Sequence, residues 1–414
     1  MTDMLKHGLS RRTLIKGTAS AAALSLLASP RIVRADEGTI KIGFPVPITG
    51  PFGAEAKDQV KSAELAIKQF NAEGGLGGRM AELLVRDDKL NPGEAATRTL
   101  ELIEKDKANF IVGSLSSAVQ LSVNEVTRAR GVIYVSISQS DTINEAKDFS
   151  RFTFHEAMNP QMTAGAVARY AFKKGQKVAY LTADYAYGHE MVAAFKRTAP
   201  AGVETVGEVL HPLGAPDYSA FMPRLLSMKA DVLCICNFGR DQANAIKQAV
   251  DFGLKAQSRI VVPVLLYKQR LASSPDVFEG VVGAANYYWG IEDTTPSAKA
   301  FNDAYRAANG GAVPTDYGAY GYTGIRSLLM AVKAAGSTDT DKVIAAMENL
   351  KYDVAKGPQS YRKCDHQSVQ QVFVLESKKK SEMKNADDLF KVVNTEPADP
   401  ATLRSCEELG HKPS

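Results

Sequence analysis

Phe110-Ile-Val-Gly-Ser-Leu-Ser-Ser-Ala-Val119 changes character half-way along. Phe110, Ile111 and Val112 read as a short buried strand. Gly113 permits a tight turn, and Ser114, Ser116 and Ser117 bring hydroxyls and N-cap oxygens. A helix is expected from about Ser117 to Arg130. Its free N–H groups and positive dipole end would point at the turn, an arrangement that receives a carboxylate or another anion. An ordinary capped βα turn has the same composition, so these ten residues alone leave both readings open.

Outward from this stretch the same alternation repeats. Before it come a strand from Thr39 to Val46, a helix burying Ala56, Val60, Ala63, Ile67 and Phe70, and a strand from Ala81 to Arg86. A helix then starts after Asn91-Pro92, and a strand from Val132 to Ile137 follows the serine turn and its helix. This βαβ order predicts an α/β fold with a parallel sheet and helices on both faces. A second set runs from about Pro160 to Val262, with strands at Lys177–Thr182, Val203–Leu210, Asp231–Cys236 and Arg259–Val262. Ligands of open α/β sheets sit outside the C-terminal strand ends, so two such sheets facing each other predict a cleft between them. After Gly280 come helical patterns at Ser297–Ala308, Thr315–Ala335 and Asp339–Asn349, then a late strand at Val369–Leu375.

The first 35 residues read as an export label. Ser10-Arg11-Arg12-Thr13-Leu14-Ile15-Lys16 is a twin-arginine pattern, an uncharged stretch runs from Gly17 to Pro30, and Val33-Arg34-Ala35 suits a signal peptidase. Recognition by the Tat machinery, cleavage before Asp36 and a periplasmic location are expected. This label carries a net +5 of a chain whose total is +4, so the remainder carries −1. No basic field is left to attract nucleic acid. The roughly 380 remaining residues exceed what one core usually serves.

Of the four cysteines, Cys234 and Cys236 lie two apart in a strand, with Cα atoms about 7 Å from each other, too far to bridge easily. Cys364 and Cys406 are the better disulfide candidates in an exported protein. Cys364-Asp365-His366 lacks a spaced partner pair, so no metal site is expected. Nor is there a Walker loop, a nucleophile elbow or a zincin motif. Neither a cofactor nor enzyme activity is expected.

Ile42-Gly-Phe-Pro-Val-Pro-Ile-Thr-Gly-Pro51, Asn71-Ala-Glu-Gly-Gly-Leu-Gly-Gly-Arg79 with Asp87, Gly113-Ser-Leu-Ser-Ser-Ala118, Ser136 to Glu145, and Asp184-Tyr-Ala-Tyr-Gly188 recur in this order in a known family. Through them the chain resembles the periplasmic solute-binding proteins of ABC transporters, of the leucine/isoleucine/valine-binding type. The resemblance spans nearly all of Thr39 to Leu375. It implies the type I periplasmic-binding-protein fold: two Rossmann-like lobes with parallel sheets, joined by three crossover strands. These are placed near Phe154–Met158, Gly283–Tyr288 and Gly357–Asp365. The corresponding partition is residues 36–156 plus 286–357 for lobe 1, 157–285 plus 358–376 for lobe 2, and a C-terminal tail at 377–414.

By the same resemblance, the protein is a monomer that closes on a small-molecule solute and hands it to the permease subunits of an importer whose ATPase is separate. A branched-chain or other hydrophobic amino acid is the implied ligand. Ser116 and Ser117 would bind its carboxylate, Ser138 and Ser140 its carboxylate and amino group, and Tyr187 and Phe238 would close over it. Ring packing between lobes is the alternative explanation for Tyr187 and Phe238. One departure stands out. The loop that usually supplies an acid for the ligand ammonium reads Pro263-Val-Leu-Leu-Tyr-Lys268, with no acid. A buried ammonium without an anionic partner is costly. Glu55 or Asp241 would have to substitute, or the ligand is an aromatic carboxylic acid or small amide without an ammonium. A ligand-sensing receptor could use the same fold.

Overall fold

Residues 38–412 are described by the computed structural model. The twin-arginine motif and the expected cleavage point before Asp36 lie outside them. The first run of elements is β1 Ile40–Val46, α1 Gly53–Ala72, β2 Ala81–Asp87, α2 Pro92–Glu104, β3 Phe110–Gly113, α3 Ser117–Arg130, β4 Ile133–Ser136 and β5 Thr153–His155. Their strands form a five-stranded sheet in the order β2-β1-β3-β4-β5, parallel throughout. Every residue of β3 and β4 is buried, as required of strands covered by helices on both faces. The side chain of Asn91 accepts the Glu94 N–H and caps α2, with Pro92 at its first position.

The second run is α4 Pro160–Ala171, β6 Lys177–Ala183, α5 Ala186–Thr198, β7 Glu204–His211, α6 Met222–Ser227, β8 Val232–Cys236, α7 Arg240–Asp251, α8 Leu254–Gln257, β9 Arg259–Val264, α9 Tyr267–Leu271, α10 Pro275–Phe278 and β10 Val282–Ala285. The chain continues through α11 Pro296–Ala308, α12 Asp316–Ala335, α13 Thr340–Glu348, β11 Lys351–Tyr352, β12 Gln359–Tyr361, β13 Ser368–Val369, β14 Val372–Ser377 and β15 Phe390–Glu396. A seven-stranded sheet takes the order β15-β14-β10-β9-β8-β6-β7. From β10 to β7 it is parallel, while β14 and β15 run antiparallel at its edge.

The two sheets are the centres of two lobes. Helix α12 returns to the first one and packs along α1. The approach is so close that a Cβ on Gly321 would stand 2.1 Å from the Gln59 carbonyl oxygen. Any larger residue there would push the helices apart. The chain passes from β5 to α4, from β10 to α11 and from β13 to β14.

Two expectations need correction. Residues 357–365 do not cross between lobes: β12 pairs antiparallel with β11 and β13 in a small third sheet, and Gln367 bridges to His155 at the end of β5. The third crossing falls at Gln370-Gln371. Nor is 377–414 only a tail, because β15 hydrogen-bonds along β14. Cys364 and Cys406 form a disulfide, and Cys234 and Cys236 are buried thiols of β8. Among the described residues, no helix is long and apolar enough to cross a membrane.

Candidate functional site

Lobe 1 presents the turn after β3 and the loop after β4. Gly113 sits at φ +143°, where a Cβ would stand 2.6 Å from the Pro45 carbonyl oxygen. Glycine therefore lets β3 turn against β1. Ser116 is the N-cap of α3, but its side chain makes no capping hydrogen bond. Ser117 is the first helical residue, so its N–H has no intrahelical acceptor. Lobe 2 presents Tyr187 in the first turn of α5, and Phe238 between β8 and α7. Helices α3 and α5 lie against one another across the lobe boundary.

Three hydroxyls at this boundary are buried without a hydrogen-bond partner: Ser117 Oγ, Ser138 Oγ and Tyr187 OH. Buried polar groups are nearly always paired, and an unpaired one costs about 1–3 kcal/mol. Ser138 is held by its backbone. Its carbonyl oxygen lies 2.6 Å from His155 Nε2, while His155 Nδ1 lies 2.7 Å from Asn144 Oδ1. Burial lowers the His155 pKa to about 4, against the contact with the Ser138 carbonyl. Rings complete the boundary. Phe238 packs edge-on against Phe52 at 4.7 Å, Tyr317 at 4.9 Å and Tyr187 at 6.0 Å. Gln139 donates to Tyr317 OH at 3.2 Å, while its own Oε1 is buried without a partner.

Ser140 is placed differently from Ser117 and Ser138. Its Oγ donates to Glu190 Oε1 on α5 at 3.0 Å, and the Asp141 N–H donates to Glu190 Oε2 at 2.9 Å. Asp141 in turn accepts from Arg197 at 2.7 Å. These contacts tie lobe to lobe and leave Ser140 engaged with protein.

Glu55 lies in the first turn of α1, 1% exposed. Its Oε1 accepts from Gln269 of lobe 2 at 2.7 Å, and its Oε2 has no partner. Burial raises its pKa to about 7, against the hydrogen bond from Gln269. Close by is Asp316, at the start of α12, with Oδ2 also buried and unpartnered. Burial and the charge of Glu55 raise its pKa to about 8, while backbone hydrogen bonding at Tyr317 and Tyr267 tempers the shift. The apolar loop Pro263–Lys268 thus meets acids delivered from lobe 1. Asp241 is spent elsewhere, accepting the Gly214 N–H at 2.8 Å within lobe 2.

Sequence reasoning missed Asp316, Gln139, Phe52 and Tyr317. Thr315-Asp316 looks like a plain helix start, and Thr315 does cap α12. The Cys364-Asp365-His366 trio is dispersed in use: Cys364 is in the disulfide, Asp365 pairs with Arg362, and His366 reaches Thr153 O and Glu348. Among the described residues, no group of three His, Cys, Asp or Glu is arranged to hold a metal ion.

A family model described as periplasmic binding protein matches residues 39–382. Leu/Ile/Val-binding protein homolog 1 of Brucella abortus is 27% identical over 357 residues, covering 84% of this chain and 89% of the relative. The crystal structure of a periplasmic binding protein from Burkholderia mallei is 28% identical, with TM-score 0.81, and covers 89% of this chain and 97% of that one. An ABC-transporter solute-binding protein from Rhodopseudomonas palustris, in complex with 3,4-dihydroxybenzoic acid, is 26% identical with TM-score 0.77, covering 88% and 99%. Every strand of both sheets except β15 falls inside the matched span, and the chain belongs to the periplasmic binding protein family.

Proposed function

We propose that this protein is the extracytoplasmic substrate-binding component of an ABC importer. It carries a small carboxylate-bearing solute, of the branched-chain or other hydrophobic amino-acid class, between its lobes and delivers it to a membrane permease. The observation that carries this reading is the set of buried, unpartnered hydroxyls of Ser117, Ser138 and Tyr187, contributed by both lobes. A ligand carboxylate would take Ser117 Oγ, Ser138 Oγ and the first N–H groups of α3. A ligand ammonium would take Glu55 Oε2 and Asp316 Oδ2, which supply the anionic partner that the Pro263–Lys268 loop lacks. Tyr187 and Phe238 add contacts that exist only in the closed form, so ligand shifts the population towards closure. The twin-arginine pattern supports export of the folded chain through the Tat pathway. Replacing Arg11 and Arg12 by Lys should hold the protein in the cytoplasm, as read by cell fractionation.

A second reading, an aromatic carboxylic acid without an amine, is favoured by the apolar Val264-Leu-Leu-Tyr267 segment and the rings of Phe52, Tyr187, Phe238 and Tyr317. The relative that holds 3,4-dihydroxybenzoic acid supports it. A thermal-shift screen of residues 36–414 with leucine, phenylalanine, 4-hydroxybenzoate, isovalerate and isobutyramide separates the readings, because a native-state ligand raises Tm. A shift with leucine that Glu55→Gln removes supports the amino-acid reading. A shift confined to 4-hydroxybenzoate transfers the assignment to aromatic acids. A shift with the amide alone overturns the carboxylate assignment.

A further inference from the structure

Beyond the three crossings, the chain ties its lobes together a fourth time. Strand β15 is bound along β14 in the sheet of lobe 2, and Glu396 at its end pairs with Arg169 of α4 at 3.3 Å. The turn Pro400–Thr402 lies against α4. The chain then arrives on lobe 1. Cys406 is bonded to Cys364 in the hairpin between β12 and β13. Arg404 pairs with Glu145 at 3.0 Å, the Ala146 N–H donates to Leu409 O at 2.8 Å, and His411 Nε2 lies 2.7 Å from Asn144 O.

Where this segment lands matters. Asn144, Glu145 and Ala146 form the far half of the loop whose near half carries Ser138 and Ser140. Asn144 Oδ1 meets His155, and His155 meets the Ser138 carbonyl. A run of close polar contacts therefore leads from His411 through Asn144 and His155 to a serine of the boundary. The surrounding backbone is pinned as well, since Asn144 Nδ2 donates to Asp365 O, next to the disulfide.

We propose that residues 397–412 are a disulfide-anchored strap with a positioning role: it limits how far the lobes part, and it holds the Ser138 loop in place for ligand. The first half of this statement rests on the hinge reading above. It places ligand affinity partly under the control of residues that never touch ligand.

The test compares the mature protein with a chain ending at Glu396, with Cys406→Ser, and with Arg404→Ala/His411→Ala, which keeps the disulfide should the shortened chain fail to fold. All are stripped of ligand by unfolding and refolding. Small-angle scattering should give a larger radius of gyration for the variants. Hydrogen exchange of the amides in residues 137–146 should be roughly tenfold faster, with exchange in β1 and β6 unchanged. Folded variants with the radius and loop exchange of the parent overturn the strap. A parent whose radius stays constant when leucine or 4-hydroxybenzoate raises its Tm overturns the hinge reading instead.

Discussion

Two of the buried polar clusters among the described residues differ in completeness. Beside the crossings, the Glu156 carboxylate is fully engaged. Lys356 Nζ and Gln359 Nε2 approach Oε1 at 3.4 and 3.0 Å, and the hydroxyls of Tyr352 and Tyr361 donate to Oε2. Lys356 also donates to Gln370 at 2.6 Å and sits over the Tyr320 ring. At the lobe boundary, by contrast, Ser117, Ser138, Tyr187, Glu55 and Asp316 each keep an atom without a partner. In the first, the chain itself satisfies both oxygens of the Glu156 carboxylate, and Gln359 Oε1 alone of these atoms lacks a partner. The second is unfinished, which is what a binding surface needs and a folding core avoids.

The comparison breaks most easily at the hinge. Lys356→Met would leave a carboxylate buried without its cation, since both side chains are 0% exposed. A loss of about 3–5 kcal/mol is expected in urea unfolding. A loss below about 1 kcal/mol would mean that the hydroxyls and amide alone satisfy Glu156.

At the boundary the expected pattern is reversed. Ser117→Ala and Tyr187→Ala should each weaken ligand binding by about 1–3 kcal/mol, measured by calorimetry with the ligand found in the screen. The unliganded Ser117→Ala protein should melt no lower than the parent, because the change removes a buried hydroxyl that has no partner. Lower melting with unchanged affinity would make Ser117 a core residue and erase the contrast.

Acidity gives a smaller and finer test. Glu55 and Glu190 stand at about 7 and Asp316 at about 8, all raised chiefly by burial. A carboxyl raised in the native state binds its proton more tightly there than when unfolded. Its stabilisation is present below the ordinary carboxylate range and is lost as pH rises through 7 to 8. The Tm of the ligand-free protein should therefore fall between pH 5 and pH 8, and Glu55→Gln should flatten that fall. If the ligand brings an ammonium, it will hold Glu55 ionised, so binding near pH 6 should release protons. An amine-free acid should release none.

Much of the fold was legible because its elements are long and periodic. The serine-turn helix runs from Ser117 to Arg130 as expected, and α12 begins one residue after its expected start at Thr315. The third sheet was not legible. Strands of two or three residues, such as Lys351–Tyr352 and Ser368–Val369, have no period to detect. Strand β15 hid among charged residues because it sits at a sheet edge, where such residues are normal. At the candidate site, Ser117, Ser138, Tyr187 and Phe238 were legible through the family resemblance, and all four are buried. Asp316 was not, since its role depends on Glu55, far away in sequence, and on a loop of the opposite lobe. Ser140 shows the converse: it was expected to contact ligand, but its partner Glu190 lies in another lobe and left no local trace.

The close packing of α1 on α12 also has a consequence for how the protein is made. The two helices come from residues 53–72 and 316–335, so the whole of β6 to β10 is synthesised between them. Lobe 2 waits in turn for β14 and β15, which end at Glu396. A ribosome that has translated half of this chain has completed neither lobe, and the apolar face of α1 meets its partner only late in synthesis. Keeping that face out of trouble in the interval falls to whatever attends the nascent chain.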